Sequence, residues 1–338
     1  MLMTTTKPTL AEHLAARPGP DSADLAHVIG ALAEAGREIA RELARAALVG
    51  RLGTTGATNV QGEAVKKLDI WANDVVVRAL TGTGLVCTMV SEEMEEPLHL
   101  DDQCPGAPYV VCFDPVDGSS NLDVNGVVGT IFGIRPRTGR TPGRQHVAAD
   151  AVAAATAQVA AGYIAYGPST LLALTTGQGA DIFTLDPDRG AFIQSHASVR
   201  IPARGHTYSV NEANSPRWAP AMRQYLEYLR TSDAVTGRRY TARYVGSLVA
   251  DVHRTLLEGG IYLYPADQAA DGRSSGKLRL QYEAAPMAWL LEAAGGAAST
   301  GSERIMQIVP TTPHQRVPLM IGSPDDVKLA EEFLAGRR

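Results

Sequence analysis

Twice in this chain a short apolar run stops abruptly on acids. LVCTMV (85–90) leads into Ser91-Glu92-Glu93, and YVVCF (109–113) leads into Asp114-Pro115-Val116-Asp117-Gly118-Ser119-Ser120. Unbroken apolar runs of this length read as buried strands. Carboxylates placed directly after such strands are held rigidly at the edge of a sheet, where α/β proteins build their sites. The pattern therefore predicts an α/β fold with a site at the ends of two strands.

The chain has 338 residues, more than the usual ~100–200 per domain, so one large α/β domain or two fused ones are expected. With 45% hydrophobic and 20% charged residues, disorder, collagen and coiled coil are excluded. A net charge of −5, from 31 basic and 36 acidic side chains, excludes a generic polyanion surface and so predicts no nucleic-acid partner. No apolar run of ~18 residues exists to span a membrane. Cys87, Cys104 and Cys112 make no disulfide framework and suit core or loop positions in a reducing compartment. The start, MLMTTTKPTLAEHL, carries Glu12 and lacks the basic-then-apolar order of a secretory signal, which predicts a cytoplasmic protein.

Apolar residues at three- and four-residue intervals predict a helix over 21–50, capped by Asp21 or Ser22, and a second over 63–80, ended by Gly82–Gly84. VGTIFGI (128–134), AAGYIAYG (160–167) and ADIFTLD (180–186) read as strands. The stretch 136–159 reads as an exposed loop with a short helix in its Ala-rich half. A composition shift near Ile201–Gly205 suggests a boundary, with domains over 1–203 and 204–338. Beyond it a helix is expected at 216–230, a strand at 261–265 and a helix at 285–294.

The two acid loops offer what a hard divalent cation needs, several oxygen ligands with room for water and phosphate oxygens. Gly118, Ser119 and Ser120 add small residues whose N–H groups suit a phosphate. The C-terminal half supplies the opposite sign: Arg243 and Tyr244, the IYLYP segment, and Gly276-Lys277-Leu278-Arg279 bring guanidinium, ammonium and phenol donors. Glu283 can return an acid to the metal. Each segment alone is more often a solvated turn or surface charge. Together they fit a phosphorylated substrate.

The segments TTGATNVQGEAVKKLDIWANDVV, VSEE, FDPVDGSSN, GTIFGI, YSVNEAN, ARYVGSLVADVHRTLLEGGIYLYP, GKLRLQYEAAPMAWLLEAAGG and HQRVPLMIGSPDDV occur in this order, and in them the chain resembles class I fructose-1,6-bisphosphatase from about residue 22 to 330. The resemblance implies the layered α/β/α/β/α sugar phosphatase fold with two α/β domains. It implies Mg²⁺, two or three ions per site with Mn²⁺ as a substitute, held by Glu92, Asp114, the Val116 carbonyl, Asp117 and Glu283. Glu93 and Asp69 match acids that polarise the attacking water, and Arg279 an arginine at the scissile phosphate. Glu63 matches an acid near a third metal, usually Asp. Asp117, Gly118, Ser119 and Ser120 match the loop at the 1-phosphate and sugar. Asn211, Tyr244, Tyr264 and Lys277 match the 6-phosphate pocket, with Tyr262 and Leu263 on the same strand. Arg243 matches an arginine reaching in from a neighbouring subunit, which implies a homotetramer.

Departures carry expectations too. Where AMP-inhibited members have Thr-Gly-Glu-Leu-Thr, this chain has Ser22-Ala23-Asp24-Leu25-Ala26; Pro108 replaces a Lys, and Pro136 stands near an Arg position. Weak or absent AMP inhibition is expected. Asn214 replaces a Tyr of the animal enzymes, the 267–276 loop is about three residues longer, and 135–159 holds no cysteine for thiol regulation. Three other readings stay open: a dual enzyme that also takes sedoheptulose 1,7-bisphosphate, a catalytically silent sugar-phosphate sensor, and an inositol-phosphate phosphatase.

Overall fold

The structure, a computed structural model, describes residues 7–17, 22–58, 64–100, 103–137, 151–152, 155–268 and 274–338. The chain begins with α1 (Leu10–Ala15) and α2 (Ser22–Leu43), then a ribbon of β1 (Thr54–Thr58) and β2 (Ala64–Lys66), then α3 (Lys67–Thr81). Next come β3 (Val86–Ser91), β4 (Leu98–His99), β5 (Tyr109–Asp117), β6 (Val128–Pro136), β7 (Ala160–Tyr166), β8 (Thr170–Thr175), β9 (Ala180–Asp186) and β10 (Ala191–Val199). They form an eight-stranded sheet in the order β10-β9-β8-β7-β6-β5-β3-β4. Within it β3 and β5 run parallel and the other neighbours antiparallel. A second, five-stranded sheet joins β11 (Thr207–Ser209), β12 (Thr241–Ala242) and β13 (Ile261–Tyr264) to the strands Leu319–Gly322 and Ala297–Ser299.

Side-chain alternation on these strands builds the layers. On β6, Phe132 and Ile134 join Val28, Ile29 and Leu32 of α2 and Leu68 and Val75 of α3 in one core. Ile131 turns the other way, to Val249 and Val252 of helix Leu248–Glu258 and Leu290 of helix Ala285–Ala293. That middle layer also meets Leu319 and Ile321 of the smaller sheet. The sheet's far face, through Ile261 and Leu263, packs on Met222 and Leu226 of helix Pro220–Arg230 and on Val327 of helix Pro324–Leu334. The expected α/β/α/β/α stack results. Both faces of the central strands are covered, which is why their sequences do not alternate with polar residues.

Several boundaries differ from the sequence reading. The helix expected over 21–50 ends at Leu43, and residues 44–50 form turns closed by short-range bonds such as Arg45 N–H to Glu42 O. The helix expected from 63 starts at Lys67, because Ala64–Lys66 pairs with β1. The helix expected from 216 starts at Pro220, Pro216 belonging to a tight turn over Glu212–Arg217. Helix Ala285–Ala293 is entered through a single π-helical turn, Leu280–Ala284. Strands β8 and β10, which the sequence reading does not anticipate, flank β9 in the larger sheet. Asp21, Glu63, positions 269–273 of the longer loop and most of the 136–159 stretch lie outside the described residues. No helix among the described residues is long and apolar enough to cross a membrane.

Candidate active site

β5 is buried throughout, and its last four residues carry the site's central acids. A regular strand would send residues i and i+3 to opposite faces. Here the register slips: Asp114 lies opposite Ile131 and Asp117 opposite Gly129, so β5 has one residue more than β6 between these points. This bulge contains Pro115, which has no N–H to give a ladder, and it turns both carboxylates into one cavity. The Pro115 carbonyl is kept in place by the Thr130 hydroxyl at 2.7 Å.

The cavity has a volume of about 530 Å³. It brings together Asp69, Glu92, Glu93, Asp114, Val116, Asp117, Gly118, Ser119, Ser120, Asn211, Tyr244, Tyr262, Tyr264, Lys277, Arg279 and Glu283. Asp69 comes from the first turn of α3, where the Lys66 N–H donates to its Oδ2 at 3.3 Å. Its Oδ1 is buried without a hydrogen-bond partner among the described residues. Glu92 follows β3 and its N–H donates to Phe113 O at 3.2 Å, tying one acid loop to the strand of the other. The Glu93 N–H donates to Ser91 Oγ at 3.3 Å, and the Ser91 hydroxyl donates to Asn73 at 2.7 Å.

One carboxylate oxygen each of Glu92, Asp114 and Glu283 converge within 4.8 Å of one another. Burial pushes Asp114 well above the usual carboxylate range, and the Glu92 charge adds to it. Burial likewise pushes Glu283 up to about 8, against the pull of Arg279. Arg279 partly offsets this crowding: its Nη2 lies 2.5 Å from Glu92 Oε1 and its Nη1 3.7 Å from Glu283 Oε1. The arginine is fixed by a short ribbon in which Leu278 pairs with Val317 and Arg279 with Arg316. A largely buried, all-oxygen, mutually repelling donor set fits a hard divalent cation.

Asp117 stands apart from that trio. Its carboxylate accepts from the Ser247 hydroxyl at 2.7 Å, Val249 N–H at 2.8 Å and Leu248 N–H at 3.2 Å, at the start of helix Leu248–Glu258. Burial pushes Asp117 up to about 6, while those donors hold it back. Gly118 follows at φ 75°, and a Cβ there would meet Ser247 Cβ at 2.6 Å. Only glycine lets the acid loop rest on that helix.

Two expected residues do not reach the cavity. Leu263 alternates with Tyr262 and Tyr264 on β13, so its side chain enters the core with Met222 and Leu226. Arg243 is exposed and its Nη1 donates to Ala242 O at 3.0 Å. Conversely Lys66, Gly246, Leu248 and Leu278 line the cavity unanticipated, and Ser247 anchors Asp117. For Ser247 a signal exists: Ser-x-x-Ala-Asp ahead of an apolar run is close to a helix-start pattern, and its hydroxyl caps Ala250 N–H.

Residues 3–197 match the family model for the fructose-1-6-bisphosphatase N-terminal domain, and residues 201–335 that for the C-terminal domain. The class 1 fructose-1,6-bisphosphatase of Synechocystis sp. is 46% identical over 321 residues, covering 95% of this chain and 90% of that protein. The class 1 fructose-1,6-bisphosphatase of Chlorobium phaeobacteroides is 47% identical over 320 residues, covering 94% and 95%. The holo form of the Leishmania major fructose-1,6-bisphosphatase superposes with a TM-score of 0.91 at 38% identity, covering 98% of this chain and 99% of that one. With the acid loops, the anion donors and the five layers in place, the chain belongs to the class 1 fructose-1,6-bisphosphatase family.

Proposed function

We propose that this cavity hydrolyses the 1-phosphate of D-fructose 1,6-bisphosphate to fructose 6-phosphate and inorganic phosphate. The observation that carries the reading is one cavity in which three converging carboxylates share walls with Lys277, Arg279, Asn211, Tyr244 and Tyr264. Glu92, Asp114, Glu283, Asp117 and the Val116 carbonyl are the residues that would hold Mg²⁺, two or three ions per site, with Mn²⁺ as a substitute. When bound, the cations neutralise phosphate charge and acidify the attacking water.

The chain's own residues do the rest. Glu93 and Asp69 take up the water's proton; Asp69, which burial pushes up to about 7, is poised to hold one near neutral pH. Arg279 offsets charge on the transferring phosphoryl oxygens. Gly118, Ser119 and Ser120 seat the reacting phosphate, and Asp117 orients the sugar. Lys277, Tyr244, Tyr264 and Asn211 hold the far phosphate, so binding energy there positions the reacting end. Arg243 lies exposed beside the edge strand β12; we read it as serving the cavity of a neighbouring subunit in a homotetramer. The same reading divides the chain into domains 1–203 and 204–338 and places it in the cytoplasm, where three cysteines that form no disulfide remain reduced.

Phosphate release from fructose 1,6-bisphosphate, with Mg²⁺ and with EDTA, tests this. Mg²⁺-dependent release is expected, and comparable release from sedoheptulose 1,7-bisphosphate would widen the substrate range. No release from folded protein that still binds the sugar would overturn it.

A further inference from the structure

The acid loop after β3 is held at its start by the Asn73–Ser91 bond, and farther along by a residue 219 positions away in the chain. His314 contacts Glu95 O through Nε2 at 3.0 Å and the Tyr282 hydroxyl through Nδ1 at 2.9 Å. A carbonyl oxygen only accepts, so Nε2 carries the proton. In the neutral ring Nδ1 is then an acceptor, and the Tyr282 hydroxyl donates to it. The rings meet edge to face, centroids 5.8 Å apart. Tyr282 is fully buried in the π-helical turn and directly precedes Glu283. Glu95 follows Glu92 in the same loop. One imidazole therefore bridges the backbone of the Glu92 loop and the residue beside Glu283.

Glu92 and Glu283, the acids on either side of this bridge, are two of the three that converge, and their charges repel. Arg279 draws on both but belongs to the reacting centre. His314 is the neighbour that spans the same gap from outside. We propose that His314 is a positioning residue for the divalent-cation site, setting the separation of Glu92 and Glu283 through Glu95 and Tyr282. This deepens the reading of the cavity as a metal-dependent phosphatase site and rests on it. His314 touches neither cation nor sugar in this role.

Mn²⁺ binding followed by electron paramagnetic resonance tests the idea apart from turnover. His314→Ala is expected to weaken Mn²⁺ binding roughly tenfold, the scale of an outer-shell loss, and to raise half-activating Mg²⁺ in step. At saturating Mg²⁺ the sugar bisphosphate KM is expected to stay within about twofold, because binding of the remote phosphate is untouched. His314→Gln, whose amide nitrogen can occupy the Nε2 position, restores most of the affinity. His314→Asn, which reaches only the Nδ1 position, does not. Tyr282→Phe keeps the packing, removes the hydroxyl that donates to Nδ1, and weakens Mn²⁺ binding to a smaller degree. Unchanged Mn²⁺ affinity in His314→Ala, or rescue by Asn as good as by Gln, overturns the proposal. If His314→Ala fails to fold, an unaltered Mn²⁺ affinity in Tyr282→Phe overturns it instead. Wild-type protein that binds Mn²⁺ yet releases no phosphate would defeat the assigned activity, while the ranking of Mn²⁺ affinities still decides the role of His314.

Discussion

Burial governs the charge state of the site's acids. It is the leading cause in raising Glu283 to about 8, Asp69 to about 7 and Asp117 to about 6. For Glu283 the folded value lies above its ordinary 4.5, so the folded chain binds more protons than the unfolded chain between those limits. Stability from this group is present at low pH and is lost as pH rises through that window. A cation at the same carboxylates favours their charged form and reverses the loss. Protein treated with EDTA should melt at steadily lower temperature from about pH 5 to about pH 8, and Mg²⁺ should raise the melting temperature more at the upper end. An equal Mg²⁺ effect at both ends contradicts this. Two substitutions separate chemistry from binding: Glu93→Gln should lower kcat by roughly 10²–10⁴ at near-constant KM, whereas Lys277→Ala should chiefly raise KM. Steady-state phosphate release at saturating Mg²⁺ reads both. These acids and donors are legible in the sequence because divalent cations and phosphates accept few side-chain types, and the resemblance fixes which ones. Leu248 and His314 are not, since each acts through contacts with residues distant in the chain, and at Ser247 the sequence shows a helix start but not the bond to Asp117.

Among the elements, β5 shows what a sequence conceals. Its apolar run announces a buried strand, yet the bulge that aims Asp114 and Asp117 at one cavity is a property of its pairing with β6. The layered fold is legible in the same way: the short apolar runs that become β3, β5, β6 and β7, and the mixed run that becomes β9, read as strands. β10 is missed because its residues are mostly half-exposed or exposed, at the sheet's edge. β8 is missed because its short apolar run carries no helix–strand signal of its own. The junction between β5 and helix Leu248–Glu258 allows a direct test at Gly118. A side chain there takes on both a left-handed backbone and the Ser247 contact, so Gly118→Ala should destabilise by more than about 1 kcal/mol in chemical denaturation and lower kcat as Asp117 shifts. Wild-type stability and turnover in that variant would show that the loop has another way to settle.

Over the whole molecule, the start of α2, the residue before β5 and the end of β6 are where AMP-inhibited relatives place a threonine-rich turn, a lysine and an arginine, as the resemblance has it. Here those places hold Ser22–Ala26, Pro108 and Pro136. Losing two cations and a hydroxyl removes charge-assisted hydrogen bonds to a nucleotide phosphate of about 1.5–3 kcal/mol each. AMP should therefore inhibit only at millimolar levels, and strong micromolar inhibition in a phosphate-release assay would disprove it. The cavity's division between the two sheets has a consequence of another kind. Glu92, Asp114 and Asp117 leave the ribosome early, whereas Arg279 and Glu283 follow only after more than half of the 338 residues have been added since Glu92. At about 5–20 residues per second that interval lasts some tens of seconds. On the proposed function, a nascent chain carrying the first acids lacks part of the cation site, and hydrolysis waits until translation is almost finished.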